Sequence, residues 1–467
     1  MSFNIKELIN IPMEWTTIRV GDIAKINAQS ITKKDTLNTI QYIDISSVST
    51  HKMEAPKTLS FSEAPSRAKR KLKNNDFIIS TVRPNLKQFT FITKEDANLI
   101  CSTGFCVISA KDENIAWYLY AFLTSDIFTN YLVKIADGGA YPAFNSSEIE
   151  NAIIPFPPEK ELIKISNWYK TLFFKITLNT QTNQTLEQIA QGIFKHWFID
   201  FAPVHAKANA LARGETIEQA ELAAMACLSG KTAEKITALK TQDPTAYHQL
   251  QQTAAAFPSE FVETEMGEVP KGWGYKRAED LFKIGIGKTP PRKESQWFSS
   301  NSKNNVEWIS IKDMGNSGTH ILNSSEYLTQ EAIKNFNIKK IPENTVLLSF
   351  KLTIGRVSIT TKETTTNEAI AHFKIGKSHL STEFLYCYLK NFDFEQLGST
   401  SSIATAVNSK TIKNMNILFP DIEVVNAFQK KISILFEKIK SNTKEISYLT
   451  SIRDELLPKL LNGEVEL

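Results

Sequence analysis

The most constraining feature of this sequence is an apolar seam of helical period that occurs twice. Apolar residues spaced alternately three and four positions apart run from Leu162 to Trp197. This spacing is typical of a helix that buries one face against another helix. The same seam returns in the same phase from Val425 to Leu460, at an offset of 425 − 162 = 263 positions. Two long helices with matched seams most simply pack on each other, so the sequence predicts a helical rod.

The segments that flank the seams indicate a tandem duplication of almost the whole chain. Residues 145–157 and 408–420 share seven of thirteen residues at the offset of 263. Near the start of each copy, Pro-Met-Glu-Trp at 12–15 returns as Pro-Lys-Gly-Trp at 270–273. If a pseudo-twofold axis relates the copies, the two helices run antiparallel.

Each predicted helix carries an asparagine at the midpoint of its seam, Asn179 in the first and Asn442 in the second. A buried asparagine costs stability but fixes the register of a helix pair, because mispairing leaves its amide unsatisfied. We therefore expect Asn179 and Asn442 to approach each other and set the register. The alternative is that each faces solvent at a local irregularity.

The rest of each copy is typical of a mixed α+β domain with small sheets. Short β-rich runs bounded by turn residues precede one helix in each copy. In the first copy the runs are 41–45, 76–82, 89–92 and 104–108, and the helix is 117–131. In the second copy the runs are 306–311, 345–349, 355–360 and 371–375, and the helix is 382–391. The fold class predicted is thus α+β, with two similar domains joined by two long antiparallel coiled-coil helices.

A polar loop lies between each globular copy and its long helix. Residues 137–142 are Asp-Gly-Gly-Ala-Tyr-Pro, and residues 398–402 are Gly-Ser-Thr-Ser-Ser. Backbone of this composition can approach a phosphate closely and donate N–H groups to it. An ordinary connecting loop is the alternative.

An alanine-rich insert without a counterpart separates the two copies. We predict helices at 215–228, 232–239 and 245–257 within it, and a path that returns the chain along the rod. The predicted segments are a first globular domain 1–156, a central helix 157–201, the insert 202–265, a second globular domain 266–419 and a C-terminal helix 420–467.

Basic charge is concentrated in the globular copies. The net charge is only +4, but residues 270–420 hold 20 basic and 13 acidic side chains, and residues 203–265 hold 5 and 8. Within 66–87, seven basic residues stand against Asp76 alone. Separated basic blocks suit a polyanion partner, with solvated lysine faces as the alternative.

The sequence gives little indication of chemistry. Residues 285–289 resemble the end of a phosphate-binding loop, but Phe282 stands where the first glycine belongs and two prolines follow. His196 is better explained by a position on the helix surface or by packing, and His372 by a structural role in a strand. The four scattered cysteines suit neither a disulfide framework nor a zinc site. We expect no catalytic residue, metal site or cofactor in this chain.

The sequence has no apolar span and no signal peptide, so we expect the protein in the cytoplasm.

Two motifs resemble the specificity subunits of type I restriction-modification enzymes. They are Ile-Phe-Lys-His-Trp-Phe-Ile-Asp-Phe at 193–201 and Leu-Leu-Asn-Gly-Glu at 460–464. The family's plan of two target-recognition domains alternating with two helices matches the duplication. One departure is that Pro158 and Pro420 are followed by Glu-Lys-Glu and Asp-Ile-Glu, where the family often has Glu-Gln.

The resemblance implies a non-catalytic DNA-binding subunit that recognises a bipartite site in double-stranded DNA. Each domain would read one half-site, and the rod would set the spacing between them. Two modification subunits holding S-adenosylmethionine would methylate adenine. Restriction subunits using ATP and Mg would translocate and cleave unmodified DNA.

Basic and amide side chains on loops are the expected DNA contacts. Our candidates are Lys33, Lys34, Arg67, Lys69, Arg70, Arg83, Asn85 and Lys87 in copy one, and Lys288, Thr289, Arg292, Lys293, Lys312, Lys351 and Arg356 in copy two. Two other readings stay open. A coiled-coil adaptor with protein-binding end domains would show no salt-dependent affinity for DNA, and a stand-alone DNA-binding protein would not co-purify with a methyltransferase.

Overall fold

The chain folds into two compact units. The computed structural model describes residues 3–5, 11–32, 35, 37–94, 96–376, 378–397 and 407–465. Unit 1 comprises Met1–Thr177 and Tyr448–Leu467, and unit 2 comprises Leu178–Ser447. Each unit therefore contains one copy of the duplicated globular sequence together with part of each long helix.

Unit 1 is built on two four-stranded sheets. Its strands are β1 (Thr16–Arg19), β2 (Ala24–Ile26), β3 (Thr39–Ile43), β4 (Val48–Ser49), β5 (Lys52–Met53), β6 (Lys57–Ser60), β7 (Ala68–Lys71), β8 (Asp76–Ser80), β9 (Phe89–Phe91), β10 (Leu99–Ser102), β11 (Phe105–Ala110) and β12 (Ile153–Phe156). The sheet orders are β6-β3-β10-β7 and β2-β11-β8-β9. Every residue of β8 is buried, which suits its continuous apolar run Phe-Ile-Ile. Antiparallel pairing of β1 with β12 brings the two ends of the globular sequence together.

The helices of unit 1 differ from the single helix predicted at 117–131. They are α1 (Val20–Ile23), α2 (Glu113–Leu123), α3 (Asp126–Ile135) and α4 (Ser147–Glu150). The break between α2 and α3 has a local cause. The Ser125 hydroxyl accepts the Phe128 N–H and so caps a new helix, as serine favours at an N-cap. The Thr124 hydroxyl donates to the Tyr120 carbonyl at the end of α2.

The insert after the first long helix, α5 (Glu159–Phe198), contains four helices where three were predicted. They are α6 (Ala202–Ala212), α7 (Ile217–Ser229), α8 (Ala233–Gln242) and α9 (Pro244–Ala256). The additional helix, α6, has Pro203 in its first turn, where the missing N–H costs nothing. The Trp197 ring of α5 lies 5.2 Å from the Phe257 ring, so the insert packs on the end of α5.

Unit 2 repeats the plan of unit 1 with additions. Its strands are β13 (Phe261–Thr264), β14 (Gly267–Pro270), β15 (Gly274–Arg277), β16 (Lys283–Ile286), β17 (Phe298–Ser299), β18 (Val306–Ile309), β19 (His320–Ile321), β20 (Glu326–Leu328), β21 (Val346–Ser349), β22 (Val357–Thr360), β23 (Thr365–Thr366), β24 (Ile370–Lys374) and β25 (Asn416–Phe419). Its helices are α10 (Ala278–Leu281), α11 (Ile311–Asn316), α12 (Gln330–Asn335), α13 (Thr382–Asn391) and α14 (Ser409–Lys413). The second long helix, α15 (Ile422–Leu461), begins in unit 2 and ends in unit 1.

The sheet order of unit 2 confirms the duplication at the level of topology. Its sheets run β16-β24-β21-β22-β19 and β17-β20-β18-β23, and β15 pairs antiparallel with β25. The order β16-β24-β21-β22 matches β2-β11-β8-β9 strand for strand. The hairpin between β8 and β9 in unit 1 is therefore the counterpart of the hairpin between β21 and β22 in unit 2.

The two long helices run antiparallel, as predicted. In unit 2, Asn183 of α5 bonds Asn442 of α15 across 3.0 Å, whereas Phe194, later in α5, lies 5.8 Å from Phe428, earlier in α15. In unit 1, the early residue Leu162 of α5 shares one apolar core with Leu461, at the end of α15. Among the described residues, no helix has both the length and the apolarity needed to span a membrane.

Candidate nucleic-acid interface

In unit 1, the hairpin between β8 and β9 is anchored to the glycine-rich loop 137–142. Arg83 donates its backbone N–H to the Pro142 carbonyl at 2.7 Å, and Phe144 donates to the Thr81 carbonyl at 3.0 Å. These bonds hold the hairpin and the loop together as one surface. The polar loop 398–402 of the second copy lies outside the described residues.

Arg83 lies at the centre of that surface. Its guanidinium carbon stands 4.5 Å from the ring centre of Tyr141, and Tyr141 is 55% exposed. A cation stacked on an exposed aromatic ring offers both a phosphate-binding charge and a face on which a base can stack. Sequence reasoning missed Tyr141, although an aromatic residue close to two glycines was a signal that could have identified it.

The other candidates of this hairpin are also at the surface. Asn85 is exposed at the tip. Lys87 is partly exposed and forms an ion pair with Asp126 at 2.5 Å. An ion pair between exposed groups is weak in water, so a phosphate can compete for this lysine.

The basic block of β7 is partly neutralised within unit 1. Arg67 pairs with Asp44 at 2.7 Å and donates to the Tyr42 hydroxyl. Lys71 forms an ion pair and hydrogen bond with Asp35. That hydrogen bond is the main cause that lowers the pKa of the Asp35 carboxyl to about 2.

The remaining members of the block differ in exposure. Lys69 is exposed. Arg70 is half-buried, and its Nε is buried without a hydrogen-bond partner in the described part of the chain. Alternation along β7 places these two side chains on opposite faces of the strand. Lys33 and Lys34 lie outside the described residues.

In unit 2, several candidates make contacts within the protein. Arg292 donates hydrogen bonds from both terminal guanidinium nitrogens to the Glu326 carboxylate, at 2.8 and 2.9 Å. Its guanidinium carbon lies 4.4 Å from the ring centres of Phe298 and Trp308. A bidentate, stacked arginine of this kind holds a local structure together. Its charge is therefore already matched before any ligand binds.

The loop after β16 is also held internally. Thr289 donates a hydrogen bond to Glu368, and Lys288 Nζ donates to the Phe336 carbonyl at 3.2 Å. Two further candidates of unit 2, Lys293 and Lys312, are exposed.

The glycines that resemble a phosphate loop serve close packing. A Cβ on Gly285 would lie 2.2 Å from the His372 ring, and one on Gly287 would lie 2.2 Å from the Asn367 carbonyl. The histidine itself is buried in β24, which lowers its pKa to about 4. Both glycines are thus required by contact with neighbouring residues.

The hairpin between β21 and β22 presents the last two candidates. Lys351 is exposed at its tip, and Arg356 donates Nη1–H to the Ile311 carbonyl at 2.6 Å. The Ser349 hydroxyl donates to the Thr353 carbonyl at 2.6 Å and accepts the Arg356 N–H, which closes the hairpin at its base. In unit 1, the Ser80 hydroxyl likewise donates to the Val82 carbonyl at 2.9 Å. Each unit therefore has a hairpin with basic residues in its turn.

The register asparagines are buried, but they do not bond each other. Asn179 donates to Glu445 at 2.8 Å, and Asn442 donates to the Asn183 side-chain carbonyl at 3.0 Å. We expected Asn179 and Asn442 to approach each other within hydrogen-bond reach or one side-chain layer of it, and the structure places them in two neighbouring bonded pairs. The antiparallel stagger instead pairs each of them with a residue about one helical turn from its expected partner.

Among the described residues, no group of three or more His, Cys, Asp or Glu side chains is arranged to hold a metal ion.

Comparison with known proteins identifies the family. The profile described as "Type I restriction modification DNA specificity domain" matches residues 12–188 and again residues 270–451. The HindI specificity subunit of Haemophilus influenzae is 36% identical over 468 residues, which cover 97% of this chain and all of that protein. The MjaIX specificity subunit of Methanocaldococcus jannaschii is 26% identical, over 79% of this chain and 73% of that protein.

A solved type I restriction-modification S subunit from M. genitalium is 14% identical, with a TM-score of 0.44 over 97% of this chain and 96% of that one. Each profile match covers one globular copy and most of the long helix that follows it, and the HindI relative spans both copies. This chain belongs to the DNA specificity subunits of type I restriction-modification systems.

Proposed function

We propose that this chain selects the DNA site of a type I restriction-modification complex by reading two half-sites. Each globular copy reads one half-site, and the paired helices α5 and α15 determine the length of the unread spacer. The proposal rests on a hairpin that both units form between equivalent strands. In each unit, the turn of this hairpin carries basic residues. One reading element per copy is what a bipartite site requires.

The candidate side chains divide into two groups by what they already contact. Arg83, Asn85, Lys87, Lys351 and the exposed lysines Lys69, Lys293 and Lys312 are accessible to DNA. Arg292 and Arg67 instead form internal ion pairs, with Glu326 and Asp44 respectively. We assign base reading and phosphate contacts to the accessible group, in which Lys87 has an internal partner but its pair with exposed Asp126 is weak enough for a phosphate to compete.

The chemistry of the assembled system belongs to partner subunits in this proposal. Two modification subunits bind S-adenosylmethionine and methylate adenine, and restriction subunits use ATP and Mg to translocate and cleave DNA. This chain directs both activities to the site. The match of the family profile to both copies supports this role over that of a coiled-coil adaptor.

An exchange of one globular copy tests the proposal. Residues 12–155 are replaced by the corresponding domain of a relative, and modified adenines are mapped across the host genome by long-read sequencing. We expect one half of the methylated motif to change, because β1 and β12 close that copy as a module. A matched exchange of residues 270–418 is expected to change the other half. A change in both halves from a single exchange would contradict the proposal.

A further inference from the structure

The tips of the two equivalent hairpins each expose a leucine. Leu352, between β21 and β22, is 97% exposed, and Leu86, between β8 and β9, is 50% exposed. A single exposed apolar residue is common on protein surfaces. Both hairpins carry one, but at different positions: counted from the matching serines Ser80 and Ser349, Leu86 is six residues on and Leu352 three.

The backbone at these tips is unusual as well. Eleven non-glycine residues of the described chain have a positive φ, and six of them are asparagines, which tolerate that conformation best. Three of the other five belong to the two hairpins: Arg83, Lys87 and Leu352.

The two positive-φ residues that are neither asparagines nor in the hairpins are explained by packing. His51 bonds the Tyr120 hydroxyl at 2.8 Å, and Phe201 packs its ring 5.9 Å from that of Trp273. Leu352 has no comparable reason, because an almost fully exposed side chain contributes little to packing. A strained residue that packing does not explain points to a function.

Basic residues bracket both leucines. Lys351 precedes Leu352 and Arg356 follows four residues later, and Leu86 lies between Arg83 and Lys87. The base of the unit 2 hairpin is fixed by the Ser349 hydroxyl and by the bond from Arg356 to the Ile311 carbonyl, so its tip is presented on a rigid support. An apolar tip between cations suits entry into a DNA groove, where phosphates contact the cations and the apolar group meets the bases.

We propose that Leu352 is a wedge that inserts between stacked base pairs of the half-site read by unit 2, and that Leu86 does the same for unit 1. The inference rests on the proposed DNA-reading function and adds to it a local unstacking of the DNA. Apolar wedges of this kind partly unstack a base step and bend the duplex, which allows more protein surface to contact DNA.

The test compares two variants of Leu352 in the assembled methyltransferase complex. Leu352→Asn keeps the positive φ, which asparagine tolerates, but removes the apolar group; Leu352→Met keeps an apolar group of similar volume. Duplexes that carry the mapped site receive 2-aminopurine, an adenine analogue that fluoresces when unstacked, in place of one adenine at a time on either strand of the unit 2 half-site. The adenine that becomes methylated is left out, because its own extrusion would give a signal.

We expect the wild-type protein and Leu352→Met to raise fluorescence at one base step, and Leu352→Asn to abolish that rise. The affinity of the asparagine variant for the site is expected to fall about tenfold, since the bent complex no longer forms. Leu86→Gln is the matched variant for the other half-site and should leave the unit 2 signal unchanged. Thermal unfolding is expected to show Leu352→Asn at least as stable as the wild type, which separates the effect on DNA from misfolding.

Three outcomes would overturn the inference while leaving the proposed function intact. The wild type binds its site without any fluorescence rise outside the methylated adenine; Leu352→Asn retains the rise; or Leu352→Asn no longer assembles with its methyltransferase subunits, so that the tip is a protein contact. Failure of the wild type to prefer its mapped site over unrelated DNA would instead contradict the proposed function itself.

Discussion

Asn442 of α15 donates its side-chain amide to the side-chain carbonyl of Asn183 of α5 across 3.0 Å, while Asn183 donates to the Thr443 hydroxyl at 3.2 Å. Asn442 is 1% exposed. The two helices are therefore connected in unit 2 by a reciprocal polar layer inside an apolar seam. Such a layer penalises any shift along the seam, because a shift leaves buried amides without partners.

Truncation of this layer is expected to cost stability. Asn442→Ala removes the donor and leaves the Asn183 carbonyl without its bond, which should lower the free energy of unfolding by about 1–3 kcal/mol. The double variant Asn183→Leu/Asn442→Leu replaces both partners by apolar groups and should recover most of that stability. Urea unfolding monitored by circular dichroism measures both. A double variant no more stable than Asn442→Ala would argue against the polar layer as the cause.

Lengthening both helices by one turn is expected to lengthen the unread spacer. Four residues inserted after Asn179 and four after Asn442 keep the Asn179–Glu445 and Asn183–Asn442 bonds, because each insertion falls between the two bonded pairs. One turn adds about 5.4 Å, or roughly one to two base pairs of DNA. Mapping of modified adenines should show both half-sites unchanged and farther apart.

The control for that prediction inserts four residues after Asn179 alone. The single insertion shifts one helix against the other, so buried amides are separated from their partners, and we expect reduced stability and no methylation at the longer site. A single insertion that methylates the lengthened site as well as the double insertion would exclude the helix pair as the determinant of spacing.

Neutralising hairpin cations is expected to weaken the salt dependence of DNA binding. Removing one phosphate-binding charge reduces the slope of log K against log salt by about 0.9. Arg83→Gln and Lys351→Gln should therefore each flatten the slope by about that amount. Arg292→Gln is the control: its charge is already paired with Glu326, so it should lower thermal stability and leave the slope unchanged. Binding isotherms at several salt concentrations decide between these outcomes.

Unit 2 is expected to lose stability below neutral pH because of buried His320. Burial, followed by the charges of Lys440 and Lys444, lowers the pKa of His320 from 6.5 to about 4. Between these values the unfolded chain binds the proton more strongly, so the free energy of unfolding falls as pH falls through this range. The expected decrease from this residue between pH 7 and pH 5 is about 2 kcal/mol.

His320→Gln removes this contribution, and the measurement is urea unfolding of the wild type and the variant at both pH values. The variant should retain a smaller pH dependence, since buried His372 of unit 2 titrates in the same direction. Equal pH dependence in the two proteins would show that His320 is protonated as readily in the folded state as in the unfolded one.

The sequence alone determined the architecture of this protein. A seam repeated at an offset of 263 residues requires two like helices, and the segments around it require two like domains, because periodicity and duplication are properties of the chain itself. Helix α13 and the core of strand β8 followed from local pattern for the same reason. The basic hairpin tips were also visible, since Arg83 and Lys351 lie in polar turns between apolar runs.

Tertiary structure decided which of those residues are accessible. No local pattern shows that Arg292 is already matched by Glu326, which lies 34 residues further along the chain, or that the ring of Tyr141 packs against Arg83. The partner of Asn442 was likewise fixed by the stagger of two helices that are distant in sequence. Charge pairing, exposure and hydrogen bonding of these side chains depend on long-range contacts, and those exist only once the chain has folded.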